Sequence, residues 1–158
     1  MKYYSYYKSE IGNILLLADE SALEGLWFEG ASFFPVDFNK SAIEKDVPIL
    51  IETKRYLDIY FTSREPDFTP ALKLTGSPFA ISVLKELLLI PYGQTSSYLE
   101  IARKVNSHPR SVARAIAHNK ISIIIPCHRV IGSNGSLTGY AGGIERKRFL
   151  LLKEGVKL

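Results

Sequence analysis

One stretch constrains this chain more than any other. An apolar, β-branched run, Ile121-Ser122-Ile123-Ile124-Ile125, ends on Pro126 and leads straight into Cys127, the only cysteine of the sequence. Such a run reads as a buried strand, and Pro126, which has no amide hydrogen, cannot continue a central one. The predicted arrangement is a thiol held at the end of a rigid element, within Pro126-Cys127-His128-Arg129-Val130. A lone buried cysteine is most often a small inert hydrophobe, so its neighbours must decide whether this one reacts.

Composition narrows the classes. A chain of 158 residues with a hydrophobic fraction of 46% can bury a core and is not a disordered tail. No apolar run approaches the roughly 18 residues of a membrane span, and the N-terminus lacks the apolar core of a secretory signal. A single cysteine excludes an intramolecular disulfide and fits a reducing compartment, so a cytoplasmic location is expected. His108, His118 and His128 have no ligand-type spacing, and we expect neither a metal nor a cofactor. Charge is uneven along the chain. Residues 1–78 hold 8 Lys/Arg against 12 Asp/Glu, and residues 79–158 hold 12 against 4. The basic half points to a polyanion, with nucleic acid the leading candidate; a merely solvated basic surface is the alternative.

The N-terminal third alternates, which predicts strands over Tyr3 to Tyr7, Ile11 to Ala18 and Leu23 to Phe28. Residues 31–39 read as a loop. A helix follows Pro48, with Ile51, Tyr56, Leu57, Tyr60 and Phe61 on one side, and Leu72 to Leu74 reads as a further short strand. From Gly76 the pattern turns helical. Ser77-Pro78 opens one helix, stopped at Pro91-Tyr92-Gly93; a second spans about 97–105; a third is opened by Pro109 and reaches about His118. The last two, joined by a tight turn, form a helix-turn-helix pattern. The predicted domains are 1–70, an α/β unit, and 76–158, with a linker near 62–75. Arg110 stands in the first turn of the third helix, where a cation opposes the helix dipole, and Ser111, Ala113, Ala115 and Ala117 give that helix a slim profile.

An ordered series of short motifs follows from these elements: Ile90-Pro91-Tyr92-Gly93, Ser97-Tyr98, Pro109-Arg110-Ser111-Val112, Asn119, Ile124-Ile125-Pro126-Cys127-His128-Arg129-Val130, Gly139-Tyr140-Ala141-Gly142-Gly143 and Glu154-Gly155. Together they resemble the O6-alkylguanine-DNA alkyltransferases. The resemblance covers the chain from about Gly76 to Gly155. It implies a small ribonuclease-H-like sheet domain followed by a winged, helix-turn-helix-like alkyltransferase domain. It also implies a partner, double-stranded DNA carrying O6-alkylguanine, bound through the minor groove by a monomer; O4-alkylthymine stays open as a second substrate.

By the same resemblance, Cys127 would be the nucleophile, consumed in one irreversible transfer, and His128 would act on it through a water. Glu154 would orient the His128 ring; the local pattern itself reads Glu154 as an exposed residue near a helix end. Tyr98 would donate to guanine N3, and the Ala141 amide to O6. The carbonyls of Cys127 and Val130 would accept from the exocyclic amine, and Tyr140 and Gly142 would line the pocket. Arg110 would fill the gap left by the flipped base, flanked by Ser111 and Ala113, while Arg114 would touch phosphate. Asn119 would join the recognition helix to the active-site segment. Lys120, Ala113 and Leu84 depart from the usual proline, glycine and tryptophan of the family. Two other readings compete: a non-enzymatic module that binds alkylated DNA, and a cysteine hydrolase of small molecules. His128 follows Cys127 directly, and in an extended segment the two side chains would point apart.

Overall fold

A computed structural model describes residues 1–158. The chain divides into two compact units, Met1–Lys73 and Leu74–Leu158.

The first unit is a four-stranded sheet with one helix. Strands β1 (Lys2–Ser9), β2 (Gly12–Ala18) and β3 (Leu23–Phe28) pair antiparallel in sequence, and β4 (Ala42–Glu44) adds parallel to β1, giving the order β3-β2-β1-β4. Tyrosines occur on both faces of β1 because both are covered. Tyr7 donates to Asp58 of the helix at 2.7 Å, whereas Tyr4 and Tyr6 meet Phe38 edge-on. Helix α1 (Pro48–Tyr60) starts on its proline and buries Ile49, Leu50, Thr53, Tyr56, Leu57 and Tyr60. The expected apolar side was misphased at one position. The three- and four-residue spacing runs through Leu50, and Ile51 is turned outward, 48% exposed. Strand β4 escaped the reading because three residues with little burial carry no periodic signal. Residues 62–69 fall within the first unit. The strand expected at Leu72 to Leu74 reduces to one bridge, Leu23 to Leu72.

The second unit is mostly helical. Helices α2 (Pro78–Leu88), α3 (Tyr98–Lys104) and α4 (Pro109–Ala117) stand close to the expected bounds. The first two are capped by Ser77 and Ser97, whose hydroxyls accept from Ala80 and Glu100 amides at 3.1 and 3.0 Å. Helix α4 is capped by His108, which accepts the Arg110 amide on Nδ1 at 3.0 Å. Helix α5 (Ile144–Lys153) closes the unit. Two short parallel strands, β5 (Ser96–Ser97) and β6 (Val130–Ile131), pair Ser96 with Val130 and Ser97 with Ile131. The mixed α/β class and the helix-turn-helix pair α3–α4 match the expectation.

The expected strand over 121–125 does not form. These residues make a buried turn, with the Ile124 amide on Ser122 O at 2.8 Å and the Ile125 amide on Ile121 O at 3.1 Å. Complete burial, not pleating, selected the apolar run. Ile123 takes φ +70°, a left-handed conformation that costs a β-branched residue on the order of 1–2 kcal/mol.

Candidate active site

The turn presents the cysteine. Asn119, directly behind α4, spans it: Nδ2 donates to Ile121 O at 3.2 Å and Ile125 O at 3.0 Å, while Oδ1 accepts the Ile121 amide at 3.0 Å. The Cys127 amide then donates to Ile125 O at 2.7 Å. Cys127–Arg129 form one 3₁₀ turn, not an extended segment, closed by the Val130 amide on Cys127 O. Consecutive side chains of such a turn are rotated by roughly 120°, so Cys127 and His128 still diverge, for a different reason. Because β6 pairs with β5, and α3 begins right after β5, Tyr98 is carried to the same end of the unit.

Behind the cysteine lies a buried ionic cluster. His128 Nε2 is 2.6 Å from Glu154 Oε2. Arg129 donates from Nε to Glu154 Oε1 at 2.8 Å, from Nη2 to Oε2 at 3.2 Å, and from Nη1 to Ile90 O at 2.8 Å. The Gly93 amide donates to Glu154 Oε1 at 3.0 Å. Gly93 has φ +78°, and a Cβ there would come within 3.2 Å of Glu154 O, so the turn needs a glycine. Glu154 is therefore not the exposed helix-end residue expected from its surroundings in sequence; only 7% of its surface is accessible. Burial alone would raise its pKa, but hydrogen bonds from His128 and Arg129 and the Arg129 charge outweigh that and hold it at about 2. An ionised carboxylate only accepts, so His128 carries its hydrogen on Nε2 and the lone pair on Nδ1. Burial, the largest influence, lowers the His128 pKa although Glu154 pulls the other way, and the ring is neutral.

A pH dependence follows. Protons bind the unfolded imidazole, near pKa 6.5, more readily than the native one. His128 thus contributes stability that is whole above about pH 6.5 and declines as pH falls. Glu154 adds a second decline below its unfolded value of about 4.3, continuing toward 2. Melting temperature should drop between about pH 6.5 and 5 in the wild type, and stay nearly flat over that window in His128→Asn. A flat wild-type profile contradicts the assignment of a neutral buried ring.

The Tyr98 hydroxyl donates to Thr138 O at 2.8 Å. Gly139, at φ +72°, permits this approach, since a Cβ there would lie 3.0 Å from that hydroxyl. Burial, and then the charge of Cys127, push the Tyr98 pKa to about 12, so Tyr98 stays a donor. Tyr140 is buried and raised well above the phenol range for the same two reasons. Lys147 of α5 is fully buried, and its Nζ donates to Val130 O at 2.5 Å and Thr138 O at 2.9 Å. Burial pushes the Cys127 thiol up; the Asn119 side chain, the charge of Lys147 and the amides of Cys127 and His128 oppose it.

Comparison with known proteins gives this geometry its context. Residues 2–74 match the family model described as 6-O-methylguanine DNA methyltransferase, ribonuclease-like domain, and residues 78–156 match the DNA binding domain of the same family. The chain is 41% identical to the methylated-DNA--protein-cysteine methyltransferase of Methanosarcina acetivorans, over 97% of this chain and 98% of that one. It belongs to the 6-O-methylguanine DNA methyltransferase family. The methylated-DNA--protein-cysteine methyltransferase of Haemophilus influenzae is 36% identical, covering 98% of this chain and 87% of that protein. A crystal structure of the Mycobacterium tuberculosis protein in complex with DNA superposes with a TM-score of 0.86 at 39% identity, covering 96% and 92% of the two chains.

In this member of the methyltransferase family, α4 turns Val112 and Ile116 inward. Arg110, Ser111 and Arg114 are exposed, the two arginines four residues apart on one face, and Ala113 is half-buried. Ala141 and Gly142 are half-buried in the loop that carries Tyr140. No helix is long and apolar enough to cross a membrane. Two buried cations of the site were not singled out from sequence, Arg129 and Lys147. A signal existed for the second: Lys147, Leu150, Leu151 and Glu154 share one stripe of α5, so two charged residues occupy core positions.

Proposed function

We propose that this protein repairs DNA by taking the alkyl group of O6-alkylguanine onto its own Cys127, once and irreversibly. The observation that carries the reading is the buried cysteine set beside a neutral histidine whose far nitrogen is fixed by an ionised glutamate. The naming of the relatives as methylated-DNA--protein-cysteine methyltransferases supports it. The unit 76–158 serves as the DNA-binding and catalytic domain, beside an α/β domain over 1–70. A reactive unpaired thiol suits the reducing cytoplasm.

In this reading the Cys127 proton leaves toward His128 Nδ1 through a water, and the ring gains its charge against Glu154. The thiolate sulfur bonds the alkyl carbon as the carbon–O6 bond breaks. That electron pair passes to the guanine ring, which regains one proton, so the thiol proton ends on the base and no cofactor is needed. Tyr98 donates to N3 and the Ala141 amide to O6 as charge develops there. Asn119 holds the cysteine segment in place. Val130 O, already taking Lys147, keeps a second lone pair for the guanine amine, and Tyr140 and Gly142 wall the pocket. Arg110 occupies the stack vacated by the flipped base, with Ser111 and Ala113 against the minor groove and Arg114 on phosphate. A pure lesion-binding module has no use for a thiol so placed.

The test is a titration of the protein with duplex containing O6-methylguanine. Transfer should saturate at one methyl per protein, and turnover beyond one equivalent would contradict the reading. Arg110→Ala should slow repair of the duplex at least about tenfold, while reaction with free O6-benzylguanine stays within twofold, because only the duplex requires a base to be flipped. Equal losses on both substrates would remove Arg110 from that role.

A further inference from the structure

Lys147 is a buried ammonium with no carboxylate in contact. Glu154, the only buried acid of the second unit, is taken up by His128, Arg129 and the Gly93 amide. Lys147 holds instead two carbonyls, Val130 O from the strand after the cysteine turn and Thr138 O from the loop that also receives Tyr98. Its Nζ lies 5.7 Å from the centre of the Tyr98 ring. Dipoles alone seldom keep a buried lysine charged; a nearby anion is the usual reason such a site persists. Of the nearby acids, the Cys127 thiol is intrinsically more acidic than the phenols of Tyr98 and Tyr140, and its carbonyl accepts the Val130 amide while the Val130 carbonyl accepts Lys147.

Building on the alkyl-transfer reading above, we propose that Lys147 is a positioning residue for that reaction. Its buried charge favours the Cys127 thiolate, and its two carbonyl contacts tie the Thr138 segment to β6 with Tyr98 beneath it. Every other group facing the thiol is neutral near pH 7: Asn119 behind α4, Tyr98 at the start of α3, Tyr140 in the loop and His128 in the same turn. Arg129 is paired with Glu154. Arg146, half-buried, donates to Gly142 O and acts on Tyr140, which leaves Lys147 as the positive charge acting on the sulfur. Its own pKa falls to about 8, with burial lowering it and Cys127 raising it, so the pair responds to pH as a unit. Transfer of an alkyl group makes the sulfur a neutral thioether and removes the partner this charge favours.

The experiment compares wild type, Lys147→Met, Lys147→Gln and Lys147→Arg, each confirmed as folded by its melting curve. Iodoacetamide labelling of Cys127, followed by intact mass across pH, reads the thiolate midpoint without DNA. The rate of methyl transfer from an O6-methylguanine duplex and the affinity for undamaged duplex are measured in parallel. Both neutral variants should label at higher pH and about tenfold more slowly near neutrality, with methyl transfer falling at least as far and DNA affinity unchanged. Lys147→Arg should keep the wild-type midpoint. Neutral variants that label with the wild-type midpoint overturn the proposal and leave Lys147 as scaffolding. If neither neutral variant folds, a raised midpoint in folded Lys147→Arg overturns it. A midpoint that rises in the neutral variants, while the wild type accepts no methyl from DNA, would refute the alkyl-transfer reading and leave the electrostatic role of Lys147 standing.

Discussion

Glu154→Ala is expected to destabilise the second unit by about 3–5 kcal/mol and to reduce alkyl transfer at least about a hundredfold. The stability loss arises from what is left behind. Arg129 stays buried with its charge uncompensated, the Gly93 amide loses its acceptor, and His128 loses the partner of Nε2. Removing one member of a buried ion pair costs far more than the pair is worth, because the remaining charge has no water to turn to. Glu154→Gln keeps the outline and one acceptor but not the charge, so it should fall between wild type and Glu154→Ala. Urea unfolding followed by far-UV circular dichroism reads this unit, where most of the helix resides. The fluorescence of Trp27, the only tryptophan, reports on the first unit. A Glu154→Ala protein within about 1 kcal/mol of wild type would show that the cluster is not the anchor described.

Asn119→Ala should cost about 2–4 kcal/mol and also reduce transfer at least about a hundredfold. Three hydrogen bonds vanish at once from a buried turn, and the carbonyls of Ile121 and Ile125 lose side-chain donors with no water to replace them. The turn also holds Ile123 at positive φ, a conformation that persists only while its surroundings enforce it. Freed of Asn119, the segment relaxes and displaces Cys127, and a shift of about 1 Å in a nucleophile is enough for the rate loss. Asn119→Asp keeps the acceptor, loses the two donated bonds and buries a charge, so it should be no better. Urea unfolding and single-turnover kinetics with the methylated duplex measure both effects. Full activity in Asn119→Ala would mean that the cysteine is positioned by other contacts.

These two residues also show where sequence reasoning reaches and where it stops. Helices α1, α2 and α4 were readable from Pro48, Pro78 and Pro109, each at a first helical position, followed by apolar residues at three- and four-residue spacing. The hairpin strands were readable from alternation. The Ile121–Ile125 run was misread because burial on every side selects the same β-branched residues in a turn as in a central strand; only the side-chain geometry of Asn119 separates the two. The sequence alone reads Glu154 as exposed because a charged residue at a helix end usually is. Its burial depends on Arg129, 25 positions earlier, which no local window contains. Lys147 was hidden by its neighbours: in Glu145-Arg146-Lys147-Arg148 one buried cation looks like part of a solvated run. The register of the α5 stripe picks it out, once Glu154 is known to lie inward.

Everything rests on one sulfur accepting carbon from damaged DNA. The direct measurement is peptide mapping by mass spectrometry after incubation with an O6-methylguanine duplex, beside an undamaged duplex and a Cys127→Ser control. The account predicts one added methyl, confined to the peptide containing Cys127, formed only with the damaged strand and absent from the serine variant. A Cys127 peptide of unchanged mass, from protein that has bound the damaged duplex, would contradict it.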